Sequence, residues 1–168
     1  MNTSASKGPP KTPAVSIGLP VYNGERYLRE ALDSLLAQTY TDFELVICDN
    51  ASTDSTRSIC EDYAGRDSRI RYYRNNTNVG AVKNFQRAIE LATAPYFMWA
   101  SDDDLHRPNF LGRCVAVLTE NPTAVLACTG ARFIDEDGDL LGESYSDFRG
   151  LDAGTIRRVA AMLARAGG

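Results

Sequence analysis

The 168-residue chain contains a single histidine, His106, and only four cysteines. With one histidine and no Gly-x-Ser-x-Gly elbow, the sequence argues against a Ser-His-Asp hydrolase and against a histidine-based metal site. None of the cysteines forms a CxxC pair, so we expect them to be small buried hydrophobic residues in a reducing cytosol. The four cysteines are Cys48, Cys60, Cys114 and Cys128.

Two phosphate-binding signatures are also missing. No GxGxxG follows the first predicted strand, which disfavours a nicotinamide or flavin dehydrogenase, and no GxxxxGK[ST] is present, which excludes a P-loop.

No apolar run reaches the length of a membrane span. The formal net charge of -4 offers no positive field for nucleic acid or an anionic membrane, so we expect neither as the main partner.

Short β-rich runs alternate with helical patterns along most of the chain. This alternation predicts βαβ units and a mostly parallel sheet with helices around it. Residues 1–13 are small, polar and rich in proline, and we expect a disordered leader there. The predicted strands are residues 14–20, 43–48, 70–74, 95–100 and 124–129, and the predicted helices are residues 24–38, a weaker one after residue 55, 79–92, one from Pro108 and 153–165. Residues 131–144 suggest two short strands around an Asp-Gly turn.

Two of the helical patterns predict a specific buried face. The first helix would bury Leu28, Ala31, Leu32, Leu35 and Leu36, and Asn23 is a plausible N-cap for it. The helix at residues 79–92 would bury a stripe of Ala81, Val82, Phe85, Ala88, Ile89 and Ala92.

Polar, turn-prone segments follow each of the first four predicted strands. Ligands of an open parallel sheet bind outside the carboxyl ends of its strands, so we expect these four segments to converge on one crevice. In chain order the segments are LPVYNGE, DNASTD, RNNTNVG and SDDD.

Asp102, Asp103 and Asp104, the acidic cluster, follow the apolar run YFMWA. Adjacent carboxylates raise one another's pKa unless a cation intervenes. A hard cation such as Mg²⁺ or Mn²⁺, which pairs carboxylates with substrate phosphates, would resolve this conflict. The alternative is a solvated helix entry, in which a serine or aspartate caps the helix that follows.

These segments together resemble a family 2 glycosyltransferase with the GT-A fold, a Rossmann-like three-layer α/β sandwich. The resemblance covers residues 14–130 and includes VSIGLPVYNGERYLREALDSLLAQTY, FELVICDNASTDST and NVGAVKNFQRAIELATAPYFMWASDDDLHRP. It implies a nucleotide-sugar-binding part at residues 14–130, with residues 131–168 as the start of an acceptor-side region.

The resemblance also implies roles for individual residues. Asp49 corresponds to the aspartate that hydrogen-bonds the base, commonly uracil, and Asp103, with Asp102 second, corresponds to the metal-binding acid. The implied nucleotide-binding residues are Pro20, Val21, Tyr22, Asn23, Glu25, Asp49, Asn50, Ser52, Asn78, Gly80, Lys83 and Asp102. Ser101 stands where the family's leading aspartate falls, so Asp102 is the substitute ribose contact.

Several of these residues also have structural interpretations. Asp49 would then only form a turn, Trp99 would pack in the core, and Asp104 would cap a helix or bind an outer water. Arg71 and Lys83 either approach the nucleotide or are surface charges, and His106 is interpreted as a loop residue facing solvent.

The implied reaction is transfer of a sugar from a nucleotide diphospho-sugar, with UDP favoured, to an acceptor hydroxyl, with inversion and with Mg²⁺ or Mn²⁺. The family's catalytic base lies further downstream, so we expect a truncated chain without it. An alternative is a nucleotide-sugar-binding module inactive by itself, and a nucleotidyltransferase ranks lower. The resemblance leaves the acceptor open among sugar, lipid-linked and protein acceptors, and it is compatible with a cytoplasmic protein, peripheral membrane association and a homo-oligomer.

Overall fold

The computed structural model describes residues 12–144, which form six strands and four helices. The elements are β1 (Val15–Val21), α1 (Leu28–Leu36), β2 (Phe43–Asp49), α2 (Thr56–Arg66), β3 (Ile70–Arg74), α3 (Ala81–Glu90), β4 (Tyr96–Trp99), α4 (Phe110–Glu120), β5 (Ala131–Ile134) and β6 (Leu140–Ser144). Of the predicted leader at residues 1–13, only the last two residues are described, and the helix predicted at 153–165 lies outside the described residues.

The first four strands form one parallel sheet in the order β3-β2-β1-β4. Crossovers between parallel strands are right-handed, so α1 and α2 lie on one face and α3, which leads back to β4, lies on the other. Accordingly α1 packs on α2, whereas α3 packs on β1 and β2. The prediction of a mostly parallel α/β sheet is confirmed. The strand order reverses between β1 and β4, and the carboxyl ends of these strands are where such sheets bind ligands.

The core is built on the two central strands. Every residue of β1 and β2 is buried, as expected for parallel strands covered by helices on both faces. Helix α1 adds its predicted apolar face, because Leu28, Ala31, Leu32 and Leu35 are all buried and Leu36 is half-buried. Each large aliphatic side chain buried in this way stabilises the fold by about 1.5–3 kcal/mol.

Helix α3 buries only one residue of the predicted apolar stripe, Ala88. Asn84 and Ala88 are its buried residues, whereas Val82 is 77% exposed and Phe85 and Ile89 are also exposed. The prediction that the apolar stripe lies in the core therefore holds for Ala88 and is wrong for its large side chains. The helix rests on the sheet through a small residue and a hydrogen-bonded amide, and residues 12–144 leave its apolar side open to solvent.

Two other apolar segments are more exposed than predicted. Trp99 is 41% exposed and makes an edge-on ring contact with Phe97 at 5.2 Å, so its assignment to the core is wrong. Residues 124–129 form no strand, and Val125 and Leu126 are exposed. A strand needs a hydrogen-bonded neighbour, and within the described range no strand pairs with the outer edge of β4.

The chain divides into two compact units, Met1–Asn109 and Phe110–Gly168. The described part of the second unit contains α4 and an antiparallel hairpin of β5 and β6. Gly138 has a φ of 87° in the connecting turn, which confirms the predicted Asp-Gly hairpin. The domain boundary predicted at residue 130 stays a prediction.

Between residues 12 and 144, no helix is long and apolar enough to cross a membrane.

Candidate functional site

The loops that follow β1 and β2 are joined by reciprocal hydrogen bonds. Asn23 Oδ1 accepts the backbone N–H of Thr53 at 2.8 Å, and the Asn23 N–H donates to Ser52 Oγ at 3.0 Å. Glu25 Oε2 accepts the backbone N–H of Ser55 at 2.9 Å. Asn23 has a φ of 56° and α1 begins five residues later, so the prediction that Asn23 is the N-cap is wrong. The structure places Asn23, Glu25 and Ser52 in contacts that hold the two loops together.

Asp49, the last residue of β2, is fully buried and paired. Its Oδ1 accepts the backbone N–H of Ser52 at 2.8 Å, and its Oδ2 accepts the Tyr72 hydroxyl at 2.8 Å and the Arg74 guanidinium. Burial raises the pKa of Asp49, but the hydrogen bonds from Ser52, Tyr72 and Arg74 outweigh it and hold that pKa below its usual range. Both carboxylate oxygens are therefore occupied by protein groups.

An asparagine network orders the loop after β3. Asn75 Nδ2 donates to Asn50 Oδ1 at 2.9 Å and to Asn84 Oδ1 at 3.0 Å. Asn50 Nδ2 donates to Asn78 Oδ1 at 2.8 Å, and Asn84 Nδ2 donates to the backbone carbonyl of Cys48 at 2.7 Å. This connected set, in which Asn50, Asn75 and Asn84 are buried, fixes the loop relative to β2 and α3.

A cavity of about 130 Å³ opens where these loops meet α3. Five of its lining residues belong to the set predicted to bind a nucleotide, while Asp49 does not line it. Tyr22 is exposed and offers an aromatic face at the rim. The lining residues are Pro20, Val21, Tyr22, Asn50, Asn78, Ala81, Asn84 and Phe85.

Three other predicted residues, Gly80, Lys83 and Arg71, do not line the cavity. Gly80 has a φ of 87°, a conformation that favours glycine, and its N–H donates to Asn78 Oδ1 at 2.9 Å. Lys83 is exposed on α3 and does not line the cavity. Arg71 donates to Glu44 Oε2 at 2.6 Å near the start of β2, at the opposite edge of the sheet from the loops. Arg71 is therefore a structural ion-pair partner.

The acidic cluster meets the β1 loop directly. A Cβ atom added to Gly24 would overlap the Asp102 carboxylate and would lie 2.8 Å from Val21 Cγ2. Ser101 donates its hydroxyl to Asp103 Oδ1, so a serine at this position orients the neighbouring acid. Asp103 and Asp104 are exposed, whereas Asp102 is half-buried.

Asp102 is the acid in the cluster whose pKa is shifted upward. Burial raises it most, and the like charges of Asp103, Asp54 and Asp104 raise it further. In the part of the chain that the structure describes, no basic side chain pairs with Asp102. The predicted repulsion between the adjacent carboxylates is therefore present at Asp102.

A hard cation fits this donor set, although the protein supplies only part of the ligand shell. Over residues 12–144, no group of three or more His, Cys, Asp or Glu side chains is arranged to hold a metal ion. Asp102 and Asp103 together offer carboxylate oxygens, which Mg²⁺ and Mn²⁺ prefer, and a diphosphate would supply further oxygens.

The alternative interpretation of the cluster as a helix entry is wrong. Helix α4 begins at Phe110, six residues after Asp104, so Asp104 cannot cap it.

His106, predicted to face solvent, is half-buried, and burial lowers its pKa. The cysteines are free: Cys48 and Cys60 are buried as predicted, whereas Cys128 is exposed.

Several site residues were not predicted from the sequence. Gly24, Tyr72, Asn75 and Asn84 are all needed for the contacts described above. Gly24 and Asn75 lie in the predicted segments LPVYNGE and RNNTNVG, although neither was assigned a role. Asn84 had a further signal, because it is a polar residue between Ala81 and Ala88 on the face of α3 that packs on the sheet.

Comparison with known proteins assigns this arrangement to a family. The sequence model described as Glycosyl transferase family 2 matches residues 16–159. An uncharacterized glycosyltransferase of Rickettsia typhi, RT0329, is 37% identical over 132 residues, which are 77% of this chain and 40% of that protein. The chain therefore spans less than half the length of this curated relative.

Solved structures give the same result for the fold. The Staphylococcus aureus TarS 1–349 structure in complex with UDP-GlcNAc has a TM-score of 0.60 and 26% identity, covering 71% of this chain and 40% of that one. The mannosyltransferase PcManGT from Pyrobaculum calidifontis, in complex with GDP-Man and Mn²⁺, has a TM-score of 0.62 and 23% identity. It covers 80% of this chain and 39% of that one and supports the fold alone. Since the family model covers most of the chain and the sheet matches these neighbours, the chain belongs to the family 2 glycosyltransferases and has their GT-A fold.

Proposed function

We propose that the chain binds a nucleotide diphospho-sugar, with a UDP-sugar as the favoured donor, for transfer of the sugar to an acceptor hydroxyl with inversion. One observation carries this proposal: an acidic cluster meets the β1 loop, which also lines a preformed cavity. The UDP-GlcNAc in TarS supports the choice of UDP, and the GDP-Man in PcManGT keeps GDP as the competing nucleotide.

The cavity is our candidate for the nucleoside. Its apolar wall from Pro20 and Val21, with the Tyr22 ring at the rim, would pack against a base, and the amides of Asn50 and Asn78 offer polar groups. Asp49 remains a candidate base contact. Tyr72 or Arg74 would have to release one of its oxygens for this contact to form.

Asp103 and Asp102 are our candidates for holding Mg²⁺ or Mn²⁺. When bound, the cation would neutralise negative charge on the leaving diphosphate. Ser101 would keep one oxygen of Asp103 oriented through its hydroxyl, and Gly24 would leave room for Asp102. Asp102 would also serve as the ribose contact in place of the family's leading aspartate.

The catalytic base remains unknown. The acids after residue 130 are Asp135, Glu136, Asp137, Asp139, Glu143, Asp147 and Asp152. Asp135 closes the hairpin turn, because its Oδ1 accepts the backbone N–H groups of Asp137 and Asp139 at 3.0 and 2.9 Å. This structural use of Asp135 removes one candidate base and so favours the second candidate function, a donor-binding module that needs a further segment for catalysis.

The remaining assignments are also proposals. We propose a cytoplasmic protein, with peripheral membrane association and a homo-oligomer as compatible arrangements. The acceptor would be a sugar, a lipid-linked sugar or a protein hydroxyl.

Calorimetric titration tests the donor site. UDP, GDP, dTDP and CDP are each titrated with and without Mn²⁺ into the wild type, Asp103→Ala and the hairpin control Asp137→Ala. We expect Mn²⁺-dependent binding of UDP that is lost in Asp103→Ala and kept in Asp137→Ala. Binding of no nucleotide by a folded wild type would contradict the donor-site assignment.

A further inference from the structure

Five hydrogen bonds attach the chain after the acidic cluster to the carboxyl-terminal end of α1. Gln38 Nε2 donates to the backbone carbonyl of Arg107 at 2.8 Å. The Thr39 N–H and hydroxyl both donate to the carbonyl of Pro108, at 2.8 and 3.0 Å. The His106 N–H donates to Ser34 Oγ at 3.1 Å. Gln38 Nε2 also lies 3.5 Å from the carbonyl of His106.

The other side of the acidic cluster is attached to the sheet. The Ala100 N–H donates to the carbonyl of Gly18 at 2.9 Å and so continues the pairing of β4 with β1. Residues 101–105, which include all three aspartates, therefore form a short span between two fixed points. No helix or strand includes these five residues, so the two attachments, together with the contact of Asp102 on Gly24, determine where the carboxylates lie.

Gln38 is the central residue of the α1 attachment. It is 4% exposed, and its amide donates to the Ser34 carbonyl at 3.3 Å as well as to Arg107. The hydrogen bond between the buried Gln38 amide and the Arg107 carbonyl is partly shielded from solvent, so the carbonyl would turn toward water if Gln38 could not donate. That movement would pull on the span that holds the acidic cluster.

We propose that Gln38 is a positioning residue for the acidic cluster and thereby sets its affinity for a divalent cation. The inference deepens the proposed function and rests on it for the identity of the ligand. Gln38 acts through the backbone at residues 106–108 and contacts neither the cation nor the donor.

The test uses Gln38→Met, which keeps the side-chain length and removes the amide donor. The matched control is Gln86→Met on the exposed side of α3, where the glutamine amide donates to Glu90 Oε1 at 3.0 Å. A second control, Ile59→Val in the buried face of α2, destabilises the core without touching the span. Thr39→Val, which removes only the hydroxyl donor, is a milder variant if Gln38→Met does not fold.

Besides the urea midpoint of unfolding, two measurements are made on each variant. The first is the Mn²⁺ dissociation constant by electron paramagnetic resonance in the presence of UDP. The second is amide hydrogen exchange over residues 101–105, which reports the order of the span without any ligand. We expect the Mn²⁺ dissociation constant of Gln38→Met to rise about threefold to tenfold, as for loss of one hydrogen bond, with faster exchange in the span. We expect Thr39→Val to raise the Mn²⁺ dissociation constant and the exchange rate by smaller amounts. Gln86→Met and Ile59→Val should leave both quantities unchanged.

The outcomes separate this inference from the proposed function. If the wild type binds Mn²⁺ with UDP and Gln38→Met binds it equally well, the inference is overturned and the donor site stands. A lower urea midpoint without a change in Mn²⁺ affinity likewise reduces Gln38 to a structural role. If the wild type binds no Mn²⁺, the proposed function fails, and so does the claim that Gln38 sets the affinity of the acidic cluster for the cation. Faster exchange in Gln38→Met alone then still supports positioning of the span, and unchanged exchange overturns that part as well.

Discussion

The carboxylate of Asp102 occupies the space that a side chain at Gly24 would need. The two residues belong to the loops that follow β1 and β4, the strands between which the order of the sheet reverses. The Gly24 N–H donates to Thr56 Oγ1 at 2.9 Å, so the glycine is held from the other side by α2. This contact between loops brings the acidic cluster to the crevice where a parallel α/β sheet binds ligands.

We predict that Gly24→Ala disrupts the acidic cluster. The added methyl group displaces Asp102 and presses on Val21, and overpacking of this kind costs about 1–3 kcal/mol. We expect Mn²⁺-dependent UDP affinity to fall at least about tenfold, as for loss of a supporting group around a metal ligand. The control is Gly65→Ala on α2, where a Cβ atom meets nothing within 4 Å. Isothermal titration checks the prediction, which fails if the two variants bind UDP alike.

We predict that Asp102→Asn stabilises the metal-free protein at pH 7. Burial and neighbouring acids raise the pKa of Asp102 in the folded chain above its value in the unfolded chain. Ionisation therefore costs folding free energy as the pH rises through the folded pKa. Below the unfolded pKa, about 3.9, both states are protonated and no cost remains.

Urea unfolding at a series of pH values measures this effect. The advantage of Asp102→Asn should be largest at neutral pH and should disappear on acidification below the ordinary carboxyl range. Asp137→Asn, in the exposed hairpin turn, should show no such trend. A variant less stable than the wild type at pH 7 would mean that Asp102 has a stabilising partner.

We predict that Tyr72→Phe weakens the fold by about 1.5–3 kcal/mol at neutral pH, because Asp49 loses a hydrogen bond to a buried charge. Burial raises the pKa of Asp49, but its hydrogen bonds lower that pKa by more, so the pKa in the folded chain lies below the value in the unfolded chain. Its contribution is therefore present above the unfolded pKa and is lost as the pH falls through the folded pKa. In Tyr72→Phe this loss should begin at a higher pH.

The matched control is Tyr96→Phe on β4. The Tyr96 hydroxyl makes no side-chain hydrogen bond with any described residue, so the same substitution should cost little there. Chemical unfolding across the acidic range compares the two. Equal stability of both variants would show that Tyr72 does not support the Asp49 charge.

We predict that Asn78→Ala weakens UDP binding about tenfold. Asn78 Oδ1 accepts hydrogen bonds from Asn50 and from the Gly80 N–H, so its removal loosens the loop that lines the cavity. Asn78 is exposed but accepts from the buried Asn50 amide, so we also expect its loss to weaken the fold by about 1–3 kcal/mol. The neighbouring Asn76→Ala serves as control, because Asn76 is also exposed and does not line the cavity. Identical UDP dissociation constants for the two variants would remove Asn78 from the site.

The strands and the location of the site could be predicted because they follow from local patterns. Strand β3 spans the predicted residues 70–74, and β2 extends the predicted 43–48 by one residue. Apolar residues set the strand positions, and parallel topology then brings the strand ends to one edge. The acidic cluster stood out because three like charges after an apolar run need an explanation.

The pairing of polar groups could not be predicted in the same way. Asn23 pairs with Thr53 and Asn84 pairs with the Cys48 carbonyl, thirty or more positions apart in the sequence. A periodic pattern also shows that a face is apolar without showing what covers it. For this reason the stripe containing Val82 and the run containing Val125 were wrongly assigned to the core.

The central claim is that a divalent cation and a nucleoside diphosphate share one site at the acidic cluster. The most direct test is the Mn²⁺ dissociation constant of the wild type and of Asp103→Ala, by electron paramagnetic resonance, with and without UDP. The described residues supply too few ligands for tight binding of the metal alone, so we predict that UDP tightens Mn²⁺ binding in the wild type at least about tenfold. In Asp103→Ala this coupling should disappear. A Mn²⁺ affinity that is the same with and without UDP, in a folded wild type, would contradict the account.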